Sequence, residues 1–172
     1  MDVATSSFDR ITTTGIDESE RGIWAVLASD LRFGARHFAA LLTLGEPLDR
    51  VVQLSRRQLQ LRGIDSAVAE LTVTLAKGVD PAETLASLKR RSIRFITLRD
   101  SDYPALLRQL AVPPAILYVR GTIIDRPCLA VVGTRKVSQY GRRVTEDLVS
   151  ALAEHGLMIV SGLALGIDGI AH

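Results

Sequence analysis

The chain has 172 residues, 47% of them hydrophobic and 23% charged, with one cysteine and a formal net charge of +2. That composition suits a globular protein of one domain or two small ones. Its apolar stretches, such as 129–133 and 157–160, fall far short of the roughly 20 residues that span a membrane. Cys128 has no partner for an internal disulfide, and no basic segment followed by an apolar run opens the chain. The expectation is therefore a cytoplasmic protein with no membrane partner and with Cys128 buried in a strand.

The charge is unevenly placed. Residues 1–85 balance to −3, residues 86–143 to +9 and residues 144–172 to −4. A central block this basic is the electrostatic footprint of a phosphate-rich partner.

In chain order, residues 1–19 are polar and aperiodic and read as a disordered leader. From Glu20 to about Arg91, apolar residues fall at helical spacing: Ile23, Val26 and Leu27, then Phe38, Leu41 and Leu42, then Val68, Leu71 and Leu75. Gly22, Gly34, Gly45, Gly63 and Gly78 punctuate them, and Asp80 with Pro81 predicts an N-cap and first turn for a helix ending near Arg91. Residues 20–91 thus form a small helical domain. Residues 92–172 read as a second, α/β domain that the sequence leaves incomplete.

In that second part, Ile93, Phe95, Ile96 and Leu98 predict a strand, and 103–110 a short helix with Asp102 as its cap. Strands follow at 115–119, 128–132 and 157–160. A helix at 140–155, with Val144, Leu148, Val149 and Leu152 spaced helically, ends at Gly156. Strand, helix and strand over 128–160 make a βαβ unit, which calls for parallel strands and a right-handed crossover.

Ligands of open α/β sheets sit where strands turn into helices. Two such turns are present: Gly133-Thr134-Arg135-Lys136 leading through Ser138 to Tyr140-Gly141, and Ser161-Gly162 leading through Gly166 to Asp168. Glycine allows close backbone approach, free N–H groups attract anions, hydroxyls of Thr134, Ser138 and Ser161 donate, and Arg135 offers a fork for phosphate. Lys136, Arg142 and Arg143 add attraction at longer range. The dinucleotide pattern G-x-G-x-x-G and the P-loop pattern are both absent, so no nucleotide cofactor is expected. His37, His155 and His172 lack ligand spacing, so no metal is expected either. Ile159 and Leu163 occupy the glycine positions of a serine nucleophile elbow. No catalytic constellation emerges, and Asp168 reads as a cap or buttress of the second turn.

The runs 128–135 (Cys-Leu-Ala-Val-Val-Gly-Thr-Arg) and 159–168 (Ile-Val-Ser-Gly-Leu-Ala-Leu-Gly-Ile-Asp) resemble the DNA-processing protein A family, also called Smf. Tyr140-Gly141 and Ala171-His172 agree. So do Tyr103-Pro104 with Leu107 and the run 113–121 upstream, and the resemblance covers residues from about Ile93 onward. It implies a small SAM-like helical domain followed by the first part of an extended Rossmann-like parallel-sheet domain. It further implies binding of single-stranded DNA without sequence preference, protection of incoming DNA in natural transformation, and assistance in loading the RecA recombinase. Homodimerisation would use a C-terminal part beyond His172.

On that resemblance Gly133, Thr134 and Arg135 match the family's phosphate-contacting turn. Ser161, Gly162, Gly166, Ile167 and Asp168 match its second glycine loop. Two departures stand out: Leu165 replaces a frequent basic residue and Gly169 a frequent alanine. The 44–47 turn of the helical part, acidic and proline-bound, offers no glycine hairpin for DNA. The alternative function is an enzyme acting on a nucleoside monophosphate or nucleotide sugar, which related Rossmann-like folds bind with similar loops.

Overall fold

In the computed structural model, residues 15–124 and 126–172 are described. Most of the expected leader, 1–14, lies outside them. Its last residues depart from expectation. Asp17 is the N-cap of α1 (Glu18–Ala28) and accepts the Glu20 N–H at 2.7 Å, while Ile16 is buried. Asp is among the best N-caps because its carboxylate meets a donor the first turn leaves unpaired, worth about 1 kcal/mol.

Five more helices follow, namely α2 (Ala35–Leu42), α3 (Leu48–Val51), α4 (Arg56–Leu61), α5 (Ser66–Gly78) and α6 (Pro81–Arg90). The cap at Asp80 stands where the sequence predicts it, and α4 and α5 open on polar caps as well. Ser55 and Gln58 form a capping box on α4, Asp65 caps α5, and Asp80 caps α6 with Pro81 in its first turn. Trp24 stacks on Phe38 at 5.0 Å, and Phe33 meets Phe38 edge-on at 4.9 Å. Leu27, Leu41, Leu48, Val51 and Leu59 close around them with no exposed surface. Gly22 lets α1 approach α6: a Cβ there would lie 2.7 Å from the Pro81 Cβ.

The chain then forms β1 (Arg94–Thr97), the single-turn α7 (Ala105–Arg108) and β2 (Ile116–Val119). β1 and β2 pair antiparallel, Arg94 opposite Val119 and Thr97 opposite Ile116. Asp102 is not the cap expected; Pro104 holds that position, and Asp102 lies 3.4 Å from Arg94. Tyr103 stays outside the helix, buried, donating its hydroxyl to the Pro114 carbonyl at 2.7 Å. Arg108 reaches back to the carbonyls of Leu98 and Asp100. The connector therefore folds onto the end of β1, which turns β2 antiparallel where one parallel layer was expected.

Two adjacent residues of α1 fasten this hairpin to the helices. Arg21 donates to both oxygens of Asp100 at 2.7 and 2.8 Å and to the Phe95 carbonyl. The buried Glu20 accepts from Arg99 at 3.0 Å, from the Leu48 N–H at 3.2 Å and from the Trp24 indole at 3.4 Å. The helical pattern does stop at Arg91, but the chain divides into compact units later, one running to Ile123 and the other Ile124–His172.

The second unit holds β3 (Cys128–Ala130), α8 (Gln139–Glu154), β4 (Met158–Val160) and the one-turn α9 (Ile167–Ile170). β3 and β4 are parallel, Cys128 beside Met158 and Ala130 beside Val160, as the βαβ spacing requires. Ser138 caps α8 by accepting the Gly141 N–H at 3.1 Å, and Gly156 at φ +82° ends it. Cys128 is exposed, against expectation, as are all three residues of β3. A strand lying on one side of a two-stranded sheet has too few neighbours to enclose its side chains. Among the described residues no helix is long and apolar enough to cross a membrane.

Candidate nucleic-acid interface

The two glycine turns of the second unit lie against each other. Asp168, buried in the first turn of α9, accepts the Gly133 N–H on Oδ1 and the Gly162 N–H on Oδ2, each at 3.2 Å. The Ile167 N–H donates to the Thr134 carbonyl at 3.1 Å. One carboxylate thus spans both turns, a wider role than bracing the second alone.

The glycines make that approach possible. A Cβ on Gly133 would lie 2.6 Å from the Ile167 side chain, and one on Gly162 would lie 2.9 Å from Asp168 Oδ2. Gly166 is the most constrained. Its φ of +101° with ψ −138° belongs to a region essentially reserved for glycine, and a Cβ would stand 2.2 Å from the Thr134 carbonyl oxygen.

The remaining groups divide into those the fold uses and those it leaves open. The Gly133 and Gly162 N–H groups, expected to meet a ligand, are taken by Asp168. Thr134 Oγ1 accepts the Lys136 N–H at 3.1 Å and faces the Lys136 carbonyl at 3.3 Å, so its hydroxyl closes its own turn. The Ser138 oxygen is engaged as the α8 cap. Arg142 and Arg143 lie 3.6 and 4.0 Å from Glu146 and Asp147, one helical turn on, which offsets much of their distant field.

Open groups remain on both turns. The N–H groups of Thr134 and Arg135, and those of Leu163, Ala164, Leu165 and Gly166, make no hydrogen bond among the described residues. Ser161 Oγ is buried without a partner there. Arg135 and Lys136 are exposed and have no ion pair among those residues. The arrangement is a set of unpaired donors beside two exposed cations, suited to holding an anion.

Sequence reasoning did not find Leu163, whose φ of +51° puts a non-glycine residue in the left-handed region. Ile167, which the resemblance places in the second loop, fills the space beneath Gly133. The short spacing from Gly166 to Asp168 is the signal that ties them to the first turn.

A family model described as DNA recombination-mediator protein A matches residues 94–172. The chain is 34% identical over 119 residues to Protein Smf of Synechocystis, covering 66% of this chain and 30% of that protein. It is 36% identical over 91 residues to the DNA processing protein DprA of Bacillus subtilis, covering 51% and 31%. The chain belongs to the DNA-processing protein A family. A Mycobacterium tuberculosis protein named for the same DNA processing extends the similarity into the helical half, 31% identical over 172 positions, 91% of this chain and 43% of that one. The chain therefore spans less than half the length of these relatives. The matched region contains both turns and Asp168.

Proposed function

We propose that the protein holds single-stranded DNA by its phosphates in a DNA-processing role. What most supports the reading is that, among the described residues, the N–H groups beside Arg135 and the Ser161 hydroxyl make no hydrogen bond, on two turns that Asp168 joins through Gly133 and Gly162. Arg135 gives a bidentate contact, Lys136 a point charge, and the loop amides and Ser161 orient oxygens. Thr134 and Ser138 shape the first turn, Gly133 and Gly162 bring the turns together, and Gly166 admits Thr134. No base edge is read, so binding is tolerant of sequence.

In this reading the βαβ unit is the beginning of a Rossmann-like domain and the helices are SAM-like. The cellular setting is cytoplasmic: protection of incoming DNA in natural transformation and delivery to the RecA recombinase, with homodimerisation through a C-terminal part. The protein binds and presents; it does not catalyse. Family names that specify DNA processing and recombination mediation support that setting.

The test is a titration of labelled single- and double-stranded oligonucleotides at several salt concentrations, repeated with Arg135→Ala. The reading expects tighter single-strand binding, a steep loss with salt and clear weakening in the variant. Equal affinity for both forms, or an indifferent variant, would sink it.

A further inference from the structure

Outside the two turns, positive charge gathers at one corner of the first unit, where α6 ends, β1 starts and β2 finishes. Lys89, Arg90 and Arg91 close α6, Arg94 opens β1, and Arg120 follows β2. The antiparallel register sets Arg94 opposite Val119, so Arg120 projects beside the same end. Its Nη2 lies 3.5 Å from the Arg91 carbonyl. All five side chains belong to exposed residues.

The local structure accounts for only part of this charge. Arg90 pairs with Glu83 at 2.6 Å and Arg94 with Asp102 at 3.4 Å. Lys89, Arg91 and Arg120 have no ion pair among the described residues. A helix C-terminus welcomes cations, but its partial charge is about half an elementary charge. Here the carbonyls of Leu88 and Lys89 already accept the N–H groups of Arg91, Ser92 and Ile93. Ser92 at φ +54° makes that closure, a left-handed position that glycine usually takes. A non-glycine residue in a left-handed turn costs stability, and Arg120 reaches the Arg91 backbone with neither side chain in an ion pair among the described residues.

We infer that this corner is a second contact for the phosphate backbone of nucleic acid, separate from the glycine turns and built on Arg91 and Arg120 with Lys89. Five exposed cations at one corner, three of them without an ion pair among the described residues, suit a ligand whose anionic groups repeat along a chain. The spread of the corner over three elements fits several phosphates better than one.

The test uses the whole chain, with single-stranded DNA titrated across salt concentrations for wild type, Arg91→Ala/Arg120→Ala and Lys89→Ala. A control of equal charge loss, Arg57→Ala/Lys77→Ala, removes exposed cations elsewhere in the unit. Each lost contact to a single strand lowers the slope of log affinity against log salt by about 0.7. The double variant is expected to lose about 1.4 and Lys89→Ala about 0.7, with the control unchanged. Trp24 fluorescence confirms folding.

An unchanged slope in both test variants, or an equal drop in the control, overturns the inference. So does binding to vesicles of anionic lipid that the double variant loses while its DNA slope stays put. The outcome is independent of Arg135→Ala. Weakening there with no effect here leaves the glycine turns as the only contact, and the reverse pattern retains this corner and rejects the turns.

Discussion

Asp168 holds Gly133 from 35 residues away in sequence, through a single hydrogen bond of 3.2 Å from the glycine N–H to Oδ1. Its other oxygen does the same for Gly162. Asn at this position keeps one acceptor but turns an NH₂ group toward a backbone N–H, placing donor against donor. Asp168→Asn is expected to destabilise the second unit by about 1–3 kcal/mol, the cost of leaving a buried donor unpaired. Urea denaturation followed by circular dichroism measures it. A variant as stable as wild type shows that the carboxylate does not hold the turns.

Gly156 and Gly166 both have positive φ, but their surroundings differ. Nothing lies within 4 Å of a Cβ built on Gly156, so Gly156→Ala should cost only the left-handed backbone term, about 1–2 kcal/mol. At Gly166 the added carbon meets the Thr134 carbonyl and the Arg135 Cα as well. Gly166→Ala is expected to cost clearly more, about 3 kcal/mol or above, and to abolish DNA binding because the turns separate. Comparing the two melting curves decides it; equal losses contradict the close approach.

The parts of the fold that depend on neighbours in sequence were legible there. Asp80-Pro81 starts α6, Gly156 ends α8, and the strand-helix-strand spacing makes β3 and β4 parallel. What was not legible depends on distant partners. Asp102 has a cap's spacing, yet Arg94 engages it; Cys128 has a core residue's chemistry, yet β3 is uncovered. At the site, the residue types pointed to both turns. Which N–H groups stay open depends on where the Asp168 carboxylate lands, and no local pattern states that.

The first unit should weaken in acid through Asp100. Burial pushes its carboxyl up, but the hydrogen bond from Arg21, the Thr97 N–H and the Arg21 charge outweigh burial and hold it below the ordinary carboxylate range. A carboxyl lowered in the folded state stabilises fully above its unfolded value, about 3.9, and that contribution is lost as pH falls from there through the folded value. Trp24, the sole tryptophan and fully buried, reports the unit's unfolding. Below about pH 4, wild type should lose more stability than Asp100→Asn, which has no charge to forfeit. Parallel acid profiles contradict the linkage.

Leu165 offers a gain instead of a loss. It is 83% exposed between open N–H groups on the second turn and packs on nothing that its removal would disturb. Leu165→Arg places a third cation beside Arg135 and Lys136 without burying charge. If phosphates cross these turns, the variant should bind single-stranded DNA more tightly by about 1 kcal/mol, roughly fivefold. Its salt slope should steepen by about 0.7, one further phosphate contact. A nonspecific rise in attraction would strengthen double-strand binding equally, so the same titration with duplex is the control. Tighter single-strand binding alone locates the strand over the second turn, whereas unchanged affinity means that the phosphates pass elsewhere.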